Sequence, residues 1–79
     1  MQILMKTPDV CAATGMKRPT LYEHMAKGLF PRPIKLGPKL ATWPQAEVAR
    51  MNAARIAGKD EDEIKALVVV LTSERKNCV

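Results

Sequence analysis

The chain has 79 residues, 47% of them hydrophobic, which allows one small domain with a marginal core and excludes a wholly disordered chain. No apolar run nears the roughly 18 residues of a membrane span, the longest being Ala66 to Leu71, and the start MQILMKTPDV lacks the apolar length and cleavage site of a signal peptide. The net charge of +5 is unevenly divided, with nine Lys/Arg against three Asp/Glu in residues 1–58 and four against five in residues 59–79, which puts the excess positive charge, and any nucleic-acid face, in the first three-quarters.

In chain order, TPDV offers Thr7 as an N-cap, Pro8 at the first helical position and Asp9 in the first turn, where its charge suits the helix dipole. This first helix runs through DVCAAT and stops at Gly15. At barely two turns it depends on packing, through Val10 and Ala13. Pro19 is tolerated only in a first turn, so a second helix begins near Arg18 and runs to Lys27, closed by Gly28, with Leu21 and Met25 as its apolar face. Two short helices around a brief Gly-containing turn make a helix-turn-helix unit. Pro31 and Pro33 then exclude helix, Ile34, Lys35 and Leu36 alternate before Gly37-Pro38, and KLATW supplies a second apolar run, which together predict a β-hairpin with Lys39 at its tip. Pro44 opens a third helix, PQAEVARMNAARIAG, with Ala46, Val48, Met51 and Ile56 among its apolar positions and Gly58 ending it. Asp60 caps a fourth helix over residues 60–76, with Glu63 as its capping-box partner and Ile64, Leu67, Val68 and Leu71 as its stripe. The expected fold is mainly α with a small β-hairpin: a winged helix-turn-helix in residues 1–58, followed by an amphipathic helix and tail in residues 59–79.

The stretch TPDVCAATGMKRPTLYEHMAKGLFPRPIKLGPKLATWPQAEV resembles the AlpA family of phage and prophage regulators, within the MerR-like and excisionase-like winged helix-turn-helix proteins. The resemblance is carried by Thr7, Val10, Gly15, Arg18, Thr20, Leu21 and Tyr22, by Gly28, Phe30, Pro31, Pro33, Ile34, Lys35, Leu36 and Gly37, and by Trp43, Glu47 and Val48. It covers about residues 3 to 57, with GLFPRPIKLG and the following Trp43 as its most specific part. Three positions depart from the pattern: Lys17 stands at the usual Ser, Glu23 at a frequent Arg, and Met51 near the place of a Trp. The resemblance implies control of integrase transcription in a prophage or mobile element, or an excisionase role in bending attachment-site DNA.

The residues themselves suggest how DNA would be met. A recognition helix enters the major groove with its N-terminal end leading, and Lys17 and Arg18 stand there. Arg18 can pair with guanine O6 and N7, while Thr20 and Tyr22 offer hydroxyls to phosphates or base edges. Lys35 points away from Ile34 and Leu36 by strand alternation, and Lys39 sits at the wing tip, so either can clamp a phosphate. The plainer account of these two lysines is edge-strand charge that blocks aggregation. Phe30 and Trp43 read as core, since a small domain can hardly leave its largest side chains outside. His24 reads as a partly exposed helix residue without a catalytic task.

An enzyme is not expected. Gly37-Pro38-Lys39 lacks the rest of a phosphate loop, and Cys11 with His24 is a weak nucleophile–base signal on two short structural helices. Cys11 and Cys78 lie 67 positions apart and the chain has one histidine, so neither a disulfide nor a metal site is indicated, and no cofactor is expected. The expected partner is double-stranded DNA in a cytoplasmic, nucleoid-associated protein, with no membrane. The fourth helix either docks on the winged domain or mediates self-association, and an integrase or regulator is a further expected partner. The rival reading is a protein-binding module that inhibits a regulator or enzyme through the winged domain.

Overall fold

Helix α1 (Thr7–Thr14) ends where Gly15 adopts the left-handed conformation, φ 74°, and donates its N–H to the Cys11 carbonyl. The computed structural model describes residues 3–75, so Cys78 and Lys76, the last residue of the expected fourth helix, lie outside the described residues. The helix start differs by one position from expectation. Lys6, in extended conformation, occupies the cap position without a side-chain bond, and Thr7 is a buried first helical residue. The reason is a short strand, β1 (Leu4–Lys6), which holds residue 6 in the sheet and passes directly into the helix. Val10 is fully buried as expected, whereas Ala13 is exposed.

Helix α2 (Arg18–Ala26) carries Pro19 in its first turn, where the missing N–H costs nothing. Its Leu21 and Met25 are buried one turn apart, and Gly28, φ 76°, closes the segment. Beyond it, β2 (Ile34–Gly37) and β3 (Leu40–Pro44) form the hairpin, with Pro38 and Lys39 at the turn. The sheet has three antiparallel strands in the order β1-β3-β2, so β3 is paired on both sides. Met5 faces Trp43 across one ladder and Ile34 faces Thr42 across the other. A bulge between Lys35 and Gly37 breaks the expected alternation: Ile34 is half-buried, but Leu36 is 55% exposed. Bulges re-aim side chains in this way and increase local twist.

Pro44 ends β3 and caps α3 (Gln45–Ile56), whose first residue donates its N–H to the Ile3 carbonyl at 2.7 Å. Val48 and Met51 are buried, while Ala46 is exposed and Ile56, at the helix end, is 87% exposed. Helix α4 (Glu61–Glu74) begins at Asp60, whose Oδ1 accepts the Glu63 N–H at 2.9 Å. The Glu63 carboxylate pairs with Lys59 at 3.3 Å.

One core joins these elements. Trp43 and Phe30 form its centre, with ring centroids 6.3 Å apart and planes inclined at 65°, an edge-to-face arrangement that suits the ring quadrupoles. Val10, Leu21 and Met25 close it from the helix-turn-helix, Val48 and Met51 from α3, and Ile64 and Leu71 from α4. The indole N–H of Trp43 donates to the Pro31 carbonyl at 2.9 Å, entirely within the core. Helix α4 is also held by charge, since Arg75 donates to both Glu47 oxygens at 2.6 and 2.8 Å. The architecture is a winged helix-turn-helix with an added C-terminal helix.

Candidate nucleic-acid interface

Helix α3 fixes the angle of the helix-turn-helix through two side chains three positions apart. Asn52 Nδ2 donates to the Ala13 carbonyl at 2.9 Å, which gives a partner to the C-terminal turn of α1. Arg55 Nη2 donates to the Leu29 carbonyl at 3.1 Å and lies 3.1 Å from His24 Nδ1. Both helices of the unit are thus tied at their C-terminal ends, which leaves the N-terminal end of α2 clear. Burial holds the His24 pKa below its ordinary value, and the nearby Arg55 charge pushes it the same way. The neutral ring can then accept at Nδ1 from the guanidinium.

At the clear end of α2, Lys17 is the extended cap residue and makes no capping bond. Lys17, Arg18 and Thr20 are all exposed, and Tyr22 is exposed on the next turn. On the hairpin, Lys35 is exposed beside the bulge and Lys39 is exposed in the turn. Of these six, Tyr22 and Lys35 come together. They line one groove of about 340 Å³ between α2 and the hairpin, to which Lys17, Arg18, Thr20 and Lys39 do not contribute.

The ion pairs sort the cations into two groups. Lys27 pairs with Glu23, Arg50 with Glu74, Lys59 with Glu63 and Arg75 with Glu47. Among the described residues, no carboxylate pairs with Lys6, Lys17, Arg18, Arg32, Lys35, Lys39, Arg55 or Lys65, and five of these eight stand at the mouth of α2 and around the hairpin. The acidic departure at Glu23 is occupied with Lys27 Nζ at 2.8 Å, a bond that lowers the Glu23 pKa and raises that of Lys27. The third departure has a packing answer, since Met51 is fully buried.

Residues 3–56 match the family described as Prophage CP4-57 regulatory protein (AlpA). The chain belongs to this family. An AlpA-family assignment also agrees with a relative in Enterobacteria phage P4, the uncharacterized protein ORF88, which is 40% identical over 55 residues. That match covers 70% of this chain and 62% of the phage P4 protein's length. No solved structure matches. The AlpA match ends at the last residue of α3, so α4 lies beyond it.

One cation in this AlpA-family chain was missed by sequence reasoning. Arg32 is exposed and lines the same groove as Tyr22 and Lys35. Its place before Pro33 is the available signal, because a following proline confines the preceding residue to extended backbone. Among the described residues, no three or more of His, Cys, Asp and Glu stand close enough to hold a metal ion, and no helix is long and apolar enough to cross a membrane. Cys11 is a half-buried free thiol packed against the core.

Proposed function

We propose that this protein is a sequence-specific DNA-binding regulator of a prophage or mobile element, with α2 in the major groove and the hairpin as a wing on the backbone. The observation that carries the reading is the gathering of exposed cations at the mouth of α2 and around the hairpin, Lys17, Arg18, Arg32, Lys35 and Lys39. Carboxylates engage four Lys/Arg elsewhere, yet those at the mouth of α2 and on the wing have no acidic partner among the described residues. Unpaired exposed cations on a helix-turn-helix are the electrostatic footprint of a phosphate backbone. Arg18 reads a base edge, Lys17, Thr20 and Tyr22 support the helix on the strand, and Lys35 and Lys39 hold the wing.

The biological roles that fit this binding mode are control of integrase transcription and excisionase action by bending attachment-site DNA. The test is selection from random duplexes at two salt concentrations, followed by sequencing. An enriched motif that survives the higher salt supports the reading. Its place in a promoter, or in phased copies that bend DNA in a gel-shift assay, separates the two roles. No enriched motif, together with tight binding to an integrase or regulator, would replace it with a protein-binding module.

A further inference from the structure

The residues on either side of Arg32 are held by the core and by the sheet. Pro31 is buried and its carbonyl accepts the Trp43 indole N–H at 2.9 Å. Pro33 restricts the other side, and one residue further the Ile34 carbonyl accepts the Thr42 hydroxyl at 3.1 Å. An arginine on such a mount directs its guanidinium with little loss of backbone freedom.

The groove it lines is built from three segments that are apart in sequence. Tyr22 and Ala26 come from α2, Arg32 and Pro33 from the connection, and Lys35 and Ala41 from the hairpin. Two cations and a phenol line the groove, and no carboxylate does. The guanidinium presents a planar fork that matches a phosphate bidentately, and Lys35 adds a second charge.

We propose that this groove seats one backbone phosphodiester of a DNA strand, with Arg32 as its principal ligand, Lys35 as a second cation and the Tyr22 hydroxyl as a donor. The proposal rests on the DNA-binding reading above and adds a function to a residue outside it. Because the seat joins the recognition helix to the wing, it sets the register of both on the duplex and reads no base.

The full-length chain, Arg32→Ala, Arg32→Lys and Lys65→Ala are compared on the selected duplex and on a scrambled duplex across a salt series. Lys65 is an exposed cation on α4, outside the groove. Arg32→Ala should weaken binding to both duplexes by the same factor, about three- to tenfold, and flatten the salt slope by about one unit. Arg32→Lys should recover part of the affinity, and Lys65→Ala should match the unaltered chain. A scan of single neutral methylphosphonate linkages should find one position that weakens the unaltered chain but not Arg32→Ala. Each linkage is compared within one protein, so a folding defect in Arg32→Ala that lowers every affinity alike does not produce this pattern. An unchanged slope in Arg32→Ala, an equal loss in Lys65→Ala, a loss confined to the selected duplex, or a scan without such a position overturns the seat alone. If the unaltered chain binds neither duplex, the DNA-binding reading falls with it.

Discussion

Replacing Trp43 with Phe tests the joint between core and wing. Trp43 is fully buried and its N–H is bonded to the Pro31 carbonyl within the core. Phenylalanine strands that carbonyl, at a cost of roughly 1–3 kcal/mol. The smaller ring also removes about two buried carbons' worth of apolar contact, at about 0.8 kcal/mol each. The sum, about 3–5 kcal/mol, is a large part of the roughly 4–12 kcal/mol expected for a chain of this size. At about 4–8 °C per kcal/mol for a small domain, the melting temperature should fall by more than about 12 °C. The assay is urea and thermal unfolding followed by far-UV circular dichroism, since the substitution removes the chain's one tryptophan fluorophore. Incorporating benzothienylalanine, which keeps the ring shape without the N–H, should show the hydrogen-bond share alone. A loss below about 2 kcal/mol in Trp43→Phe would refute the reasoning, because the lost carbons alone account for about 1.6 kcal/mol and the Pro31 carbonyl would then have found another partner.

Arg18→Ala should cut discrimination between the selected and random duplexes by roughly 1–3 kcal/mol in competition binding; unchanged discrimination removes Arg18 as a base reader. Lys39→Ala should weaken binding to all sequences and lower the salt slope by about one unit, and an unaltered slope takes the wing tip off the contact surface. Gly15→Ala should cost about 1 kcal/mol in urea unfolding, since φ is 74° and a Cβ there would meet nothing within 4 Å, so only backbone strain acts. Gly37→Ala, equally open but without a positive φ, is the neutral control. His24 is held below its ordinary pKa of 6.5 by burial and Arg55, so the unfolded chain takes up the proton first as the pH falls. This contribution to stability is complete above about pH 6.5 and is lost between the unfolded and folded values. Urea midpoints across that window should decline in the native chain and less in His24→Gln; equal declines would exclude His24 as the source.

Local rules made the helices and hairpin legible. Gly15, Gly28 and Gly58 adopt positive φ where the helical patterns stop, and Asp60 caps α4 through the Glu63 N–H. Strand β1 was not legible, because three residues with no alternation become a strand only by lying beside β3. The same strand puts the cap at Lys6 and makes Thr7 the first helical residue. Ile56 and Ala13 fit a helical apolar pattern but fall at helix ends that the neighbouring elements do not cover. The Leu36 reading failed because a bulge has no clear signature in four residues. At the candidate interface, the exposed mouth of α2 followed from Pro19 and Gly15 alone. Arg32 did not, because its groove exists only once α2 and the hairpin pack together.

The placement of β3 has a mechanical consequence for the hairpin. Its root is doubly hydrogen-bonded through the sheet and anchored by Trp43, while the bulge at Leu36 interrupts the pairing with β2 near the tip. Pairing resumes at Gly37 and Leu40, so only the turn residues Pro38 and Lys39 are left to adapt when a surface is met. A finger that bends at its last joint gives up little conformational entropy on contact, yet still conforms to what it touches. The wing therefore acts as a stiff lever with a soft tip.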